Sequence, residues 1–248
     1  MKAFLRHLWI QFKMDLRERS TLMIYYLVPL VFYIVMGAVF ASINPLMKQT
    51  LTATMAIFAV TMGAVLGIPI PIVKMRESGV LRAYRVSGIP GGAVLLIQAV
   101  SAFLHLLVVA ILILATAPLL FGASYPQSFV AYFSTLGILL FASIALGLLI
   151  GALARSQSVA TMLSQAIFLP TIMLGGIMFP ASMLPKTLML LGRLLPATYV
   201  MQSFSGYAFS LPTNIDPGLS LMITALIGVA KRCPLTRGKE YAGLVVAT

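Results

Sequence analysis

The chain has 248 residues, of which 60% are hydrophobic and only 9% charged, with a mean hydropathy of +1.04. A soluble globular chain carries roughly 25% charged residues, so a chain this apolar has too little polar surface to face water, and lipid must be its solvent. Its formal charge of +12 comes from cations lying between apolar runs, where they report membrane orientation and not nucleic-acid binding.

Residues 1–20 do not form a signal peptide, because their apolar residues make a stripe and not a block. At 100° per residue Phe4, Leu5, Leu8, Trp9, Phe12 and Leu16 share one face, Lys2, Arg6, Lys13 and Arg17 the other, and Asp15 strays toward the apolar side. The pattern predicts an amphipathic helix in the membrane interface with Trp9 near the headgroups; the alternative is a leader helix packed on the protein itself. A first span is expected over 22–43, ended by Asn44-Pro45, and a second over 51–73, with Pro69 and Pro71 near its far end. The third runs over 91–120, long enough to cross with tilt, the fourth over 129–154 and the fifth over 159–179. Residues 180–216, broken by Pro185, Lys186, Arg193, Pro196 and Pro212, read as short helices at the outer surface, and a last apolar run covers 219–230. The expected fold is an all-α polytopic membrane protein of about six transmembrane helices with an N-terminal interfacial helix.

The cations set the orientation. Lys2, Arg6, Lys13, Arg17 and Arg19 precede the first span, and Lys74, Arg76, Arg82 and Arg85 follow the second. Arg155 follows the fourth, and Lys231, Arg232, Arg237 and Lys239 lie in the tail. Only Lys48, Lys186 and Arg193 fall on the opposite side. The positive-inside rule therefore places the N-terminus in the cytoplasm of a multi-pass plasma-membrane protein.

Little in the chain points to catalysis. The acidic residues Asp15, Glu18, Glu77, Asp216 and Glu240 all fall outside the expected spans, which disfavours an intramembrane ion relay. His105 is the one ionisable residue well inside a span; it is either a pathway residue or a neutral imidazole bonded to a neighbouring helix. No HExxH or GxSxG supports proteolysis, no GxxxxGK[ST] loop binds nucleotide, and Cys233, the single cysteine, leaves no disulfide, redox pair or cysteine-rich metal site. Transport at the expense of ATP would need a second polypeptide. Ser143, Gly147 and Gly151 recur every four residues, a small-residue stripe read as intramolecular packing or, less well, as a dimer contact. Pro170 should bend the fifth helix.

The most informative segment lies between the second and third spans, from Lys74 to Pro90. Ser78 is expected to cap a short helix that ends before Gly88 and Pro90, with Leu81 and Tyr84 on one face and Glu77 one turn before Leu81. Either this helix touches a cytoplasmic partner or the loop is solvated and its charges only set topology.

Arg76-Glu77-Ser78-Gly79-Val80-Leu81, followed by Ser87-Gly88, resembles the loop after the second span of type-2 ABC exporter permeases. The likeness continues at Gly176-Ile177-Met178-Phe179-Pro180, at Leu184-Pro185 and at Leu195-Pro196-Ala197-Thr198-Tyr199, and the N-terminus looks like that family's elbow helix. The resemblance covers residues 1–212. It implies a permease domain over 1–230 whose loop 74–90 holds a coupling helix, with Glu77, Gly79 and Leu81 as coupling positions; Arg82 and Tyr84 join them from the facing argument. It also implies a six-span half-transporter that pairs with a second copy or a related permease and recruits separate ABC ATPase subunits, where ATP and magnesium bind. No cofactor is expected in this chain. The absence of a large outer domain favours export of a lipophilic, drug-like or antibiotic-like substrate. The alternatives are a stand-alone secondary carrier or channel without an ATPase, and a membrane scaffold that moves nothing.

The C-terminus departs from that pattern. The apolar run over 219–230 is too short for a span of about 20 residues, and Lys231-Arg232 follow at once. Residues 231–248 are expected to form an atypical tail, through truncation, a frameshift or a variant ending, and the final helix should be shorter than the other five.

Overall fold

In lipid every backbone polar group must be satisfied within the protein, and long uncharged runs meet that demand as helices. The computed structural model describes residues 2–43, 45–178, 185–192, 195–213 and 215–230, and among them only helices and their connections occur. The expected features at 179–184, at Arg193 and over 231–248 lie outside the described residues. The helices are α1 (Lys2–Asp15), α2 (Arg19–Leu22), α3 (Val28–Ile43), α4 (Pro45–Met62), α5 (Pro69–Glu77), α6 (Val80–Val86), α7 (Gly91–Phe121), α8 (Phe129–Leu153), α9 (Gln157–Leu174), α10 (Lys186–Gly192), α11 (Pro196–Ser203) and α12 (Pro217–Ala230).

Among the described residues, five helical stretches are long and apolar enough to cross a membrane: Arg19–Ser42, Lys48–Glu77, Gly91–Phe121, Phe129–Leu153 and Gln157–Leu174. The chain is an all-α polytopic membrane protein. The described part of α12 has 14 residues, Pro217–Ala230. Asp216 starts it by accepting hydrogen bonds at Oδ1 from the Gly218 and Leu219 N–H groups, 2.7 and 3.1 Å away.

The second span extends further than the sequence indicated, because its prolines do not end it. A π turn over Gly63–Gly67 interrupts the α-helical ladder just before Pro69, which then occupies the first position of α5. A proline there gives up a donor that the broken ladder does not need. The first span carries a matching π turn at Met23–Leu27, packed against the second's. The Tyr25 ring lies directly over Gly67, where an added Cβ would come within 2.4 Å of it. The fifth span ends at Leu174, before Phe179, since Gly176 turns into the left-handed region at φ +78°. Pro170 sits inside α9.

The second span is the axis of the fold. Its most apolar stretch is 83% buried, against 22% for the first span and 28% for the fifth. It packs against α3, α7, α8 and α9, and its small residues Ala53, Ala56, Ala59 and Ala64 are fully buried, as close approach on every side requires. The Ser143–Gly147–Gly151 stripe of α8 faces this axis. A Cβ at Gly147 would lie 2.2 Å from the Ala64 carbonyl oxygen, and one at Gly151 would press on Ile72 and Pro69.

The Gly147→Ala variant should therefore force the two backbones apart and lose about 1–3 kcal/mol of stability, read as a lower melting temperature of detergent-solubilised protein. Gly137→Ala, on the same helix with open space around it, should melt like the parent.

Candidate functional site

The end of α5, the start of α7, the end of α8 and the start of α9 fall at one end of the bundle with α1 and α6. This end is the basic one, carrying Arg6, Lys13, Arg17, Arg19, Lys74, Arg76, Arg82 and Arg155. At its centre is the segment from Lys74 to Pro90.

Ser78 closes α5 instead of capping α6. Its N–H bonds to the Lys74 carbonyl and its Oγ donates to the Met75 carbonyl, while the Gly79 N–H reaches the Arg76 carbonyl. Gly79 then takes φ +73° with nothing near the position of a Cβ, so the demand for glycine there comes from the backbone alone. Its carbonyl accepts from the N–H groups of Arg82 and Ala83, which starts α6. The segment leaves at Gly88, φ +79°, and Pro90 in extended conformation leads into α7.

Three side chains tie this projection to the bundle. Arg76 donates to the carbonyls of Ala152, at 3.3 Å, and Ala154, at the C-terminus of α8, where a helix presents unpaired carbonyls and a partial negative charge. Glu77 accepts from Gln157 Nε2, 2.7 Å away at the start of α9. Lys74 pairs with Glu18 at 3.2 Å, just before the first span; both groups are largely exposed, so this pair adds little stability. On α6, Leu81 and Tyr84 are half-buried, with the Tyr84 hydroxyl 3.5 Å from His7 Nε2 of α1. Val80, Arg82, Ala83 and Val86 face outward, Val86 being 83% exposed. Glu77, Gly79, Leu81, Arg82 and Tyr84 thus lie together, but they divide between an outward and an inward face. The outer face of α6 thus leaves Val86 open.

α1 differs from its predicted division. Trp9 and Leu16 are exposed, together with Ile10 and Met14, while Leu8, Gln11, Phe12 and Asp15 turn inward, where α1 packs against α7. Asp15 is 5% exposed. Its Oδ2 accepts from Ser101 Oγ at 2.5 Å and its Oδ1 from Gln11 Nε2 at 2.8 Å. Next to it lies His105, fully buried, stacked on Phe12 with ring centroids 4.3 Å apart and joined through Nδ1 to the Tyr26 hydroxyl at 2.7 Å. With Tyr26 as donor, the ring proton sits on Nε2, which faces Asp15 Oδ2 at 3.8 Å. Burial pushes the Asp15 carboxyl above its usual range; the hydrogen bonds from Ser101 and Gln11 oppose this, and the charge of Glu18 adds to it. Ser143, Gly147 and Gly151 belong to the helix-packing surface described above.

Sequence reasoning did not single out Gln157 or Val86, nor the bonds of Arg76 to the end of α8, nor the burial of Asp15. The one available signal was the acidic residue out of place on an otherwise basic and apolar helix. A family model described as ABC-2 type transporter matches residues 2–209, from α1 through the five spans to the turn that follows α11. The comparison with curated proteins gave no match.

Because burial raises the Asp15 pKa, the packed arrangement prefers the protonated acid. The stability that burial of Asp15 leaves to the folded state should be greatest below the ordinary carboxylate pKa of about 3.9 and fall as pH rises through the native value. Infrared titration should show a protonated-carboxyl band that persists above that ordinary value and is absent in Asp15→Asn.

Proposed function

Since the chain belongs to the ABC-2 type transporter membrane family, we propose that this permease subunit serves an ATP-driven exporter and couples to its ATPase through α6. The observation that carries the reading is the α5–α6 projection: a short helix that leaves Val86 open and continues from α5, whose Arg76 and Glu77 bond to the end of α8 and the start of α9. Closure of ATPase subunits against α6 would push on α5, which continues into the most buried span, while Arg76 and Glu77 would pass the same displacement to α8 and α9. A rigid element attached at several points moves whole helices and not just a loop, which is what switching between inward-open and outward-open states demands.

Several further features support the same reading. The cation distribution favours a cytoplasmic basic end in the plasma membrane. The first and fifth spans are the least covered and offer apolar faces to lipid or to a second permease, as a homodimer would need. The short connection at 122–128 between α7 and α8 fits a lipophilic, drug-like or antibiotic-like cargo taken from the membrane more than one handed over by a large outer domain.

The test is co-expression with a candidate ABC ATPase subunit. Val86→Glu and Val80→Asp should leave membrane insertion intact and reduce both ATPase capture and its stimulation by roughly tenfold, as removal of a central apolar contact does. Parent-level stimulation in both variants would leave α6 as a topology signal only. Orientation is checked separately, with Cys233 replaced: a cysteine at Ser78 should react with impermeant reagent only from the cytoplasmic side, and one at Gln49 or Ser124 only from outside.

A further inference from the structure

α1 joins the bundle through a polar contact, which is costly to bury unless its partners are satisfied. Asp15 is the last residue of α1, and its carboxylate is held by Ser101 of α7 from one side and by Gln11 of its own helix from the other. His105 of α7, itself fixed by Tyr26 of the first span, closes the site. Two turns earlier on α1, His7 lies against Tyr84 of α6, with ring centroids 5.6 Å apart. The opposite side of α1 is open, with Trp9 65% exposed. The carboxylate contact is specific in direction and register, whereas the apolar contacts of Leu8 and Phe12 tolerate sliding.

We propose that Asp15 is a positioning residue for α6: clamped by Ser101 and faced by His105, it sets the rotation and register of α1, and α1 in turn braces α6 through His7 and Tyr84. The bracing is a statement about geometry within this chain; only its consequence for the ATPase rests on the function proposed above. In a transport cycle α6 would then move together with α1 and the third span and not as an isolated loop.

The experiment measures proximity in native membranes without any ATPase. In a chain with Cys233 replaced, His7→Cys and Tyr84→Cys are joined by a short bifunctional thiol reagent; with the native side-chain contact removed, the rate depends on how α1 is anchored. Asp15→Leu should slow cross-linking about tenfold, in line with loss of a buried hydrogen-bonded group that leaves Ser101 without its partner. Asp15→Asn, which keeps an acceptor for Ser101, should stay within about twofold of the parent. A parent-like rate in Asp15→Leu overturns the proposal. If Asp15→Leu fails to insert, Ser101→Ala decides, since α1 is then unchanged: a rate reduced about threefold or more supports the proposal, and a parent-like rate overturns it. ATPase capture by the same variants is scored separately. Slowed cross-linking with unchanged capture would uphold the bracing role of Asp15 and count against α6 as the docking helix.

Discussion

A helix surrounded on all sides by other helices must offer small residues in every direction, and the second span meets this condition through Ala53, Ala56, Ala59, Gly63, Ala64 and Gly67. Gly147 answers from α8 by letting a backbone carbonyl approach where any side chain would collide. In lipid there is no hydrophobic drive to bring helices together, so association depends on such close packing. The positions of the other spans follow from how each meets this axis.

The same close packing explains why the prolines and π turns stand where they do. Tyr25, from the π turn of the first span, fills the surface over Gly63 and Gly67, and the interrupted ladder leaves room for Pro69 at the head of α5. α5 then runs unbroken to Glu77 and delivers the axis of the bundle to the basic end. There, Arg76 satisfies carbonyls that the end of α8 leaves unpaired. A structural need of one helix is met by the residue that anchors the projection.

Polar groups beneath α1 obey a stricter rule. A carboxylate lifted from water is tolerated only with partners in place, and Asp15 finds Ser101, Gln11 and the facing edge of His105. Among the described residues His105 Nε2 itself makes no hydrogen bond, which leaves its electrostatic partner at 3.8 Å as the group it faces. The amphipathic helix is therefore neither wholly interfacial nor wholly packed on the protein: one strip docks through polar contacts, and the rest stays open.

Composition and hydropathy by themselves determined a polytopic helical membrane protein, because 9% charged residues leave no other solvent than lipid. The order Arg76-Glu77-Ser78-Gly79 located the projection, since charged and left-handed positions between two apolar runs have few other uses. The start of the final helix was equally legible, since Asp216-Pro217 supply a capping acceptor and a first-turn proline. Tertiary structure alone decided the extent of the second span, as Pro69 ends a helix unless a π turn elsewhere absorbs its missing donor. It also decided which face of α1 is buried: periodicity grouped Trp9 with Phe12, but the partners of Asp15 lie on α7, some 86 positions away in the case of Ser101. Local patterns report what a helix can bury; which neighbour satisfies its one polar group depends on chain segments that meet only after folding.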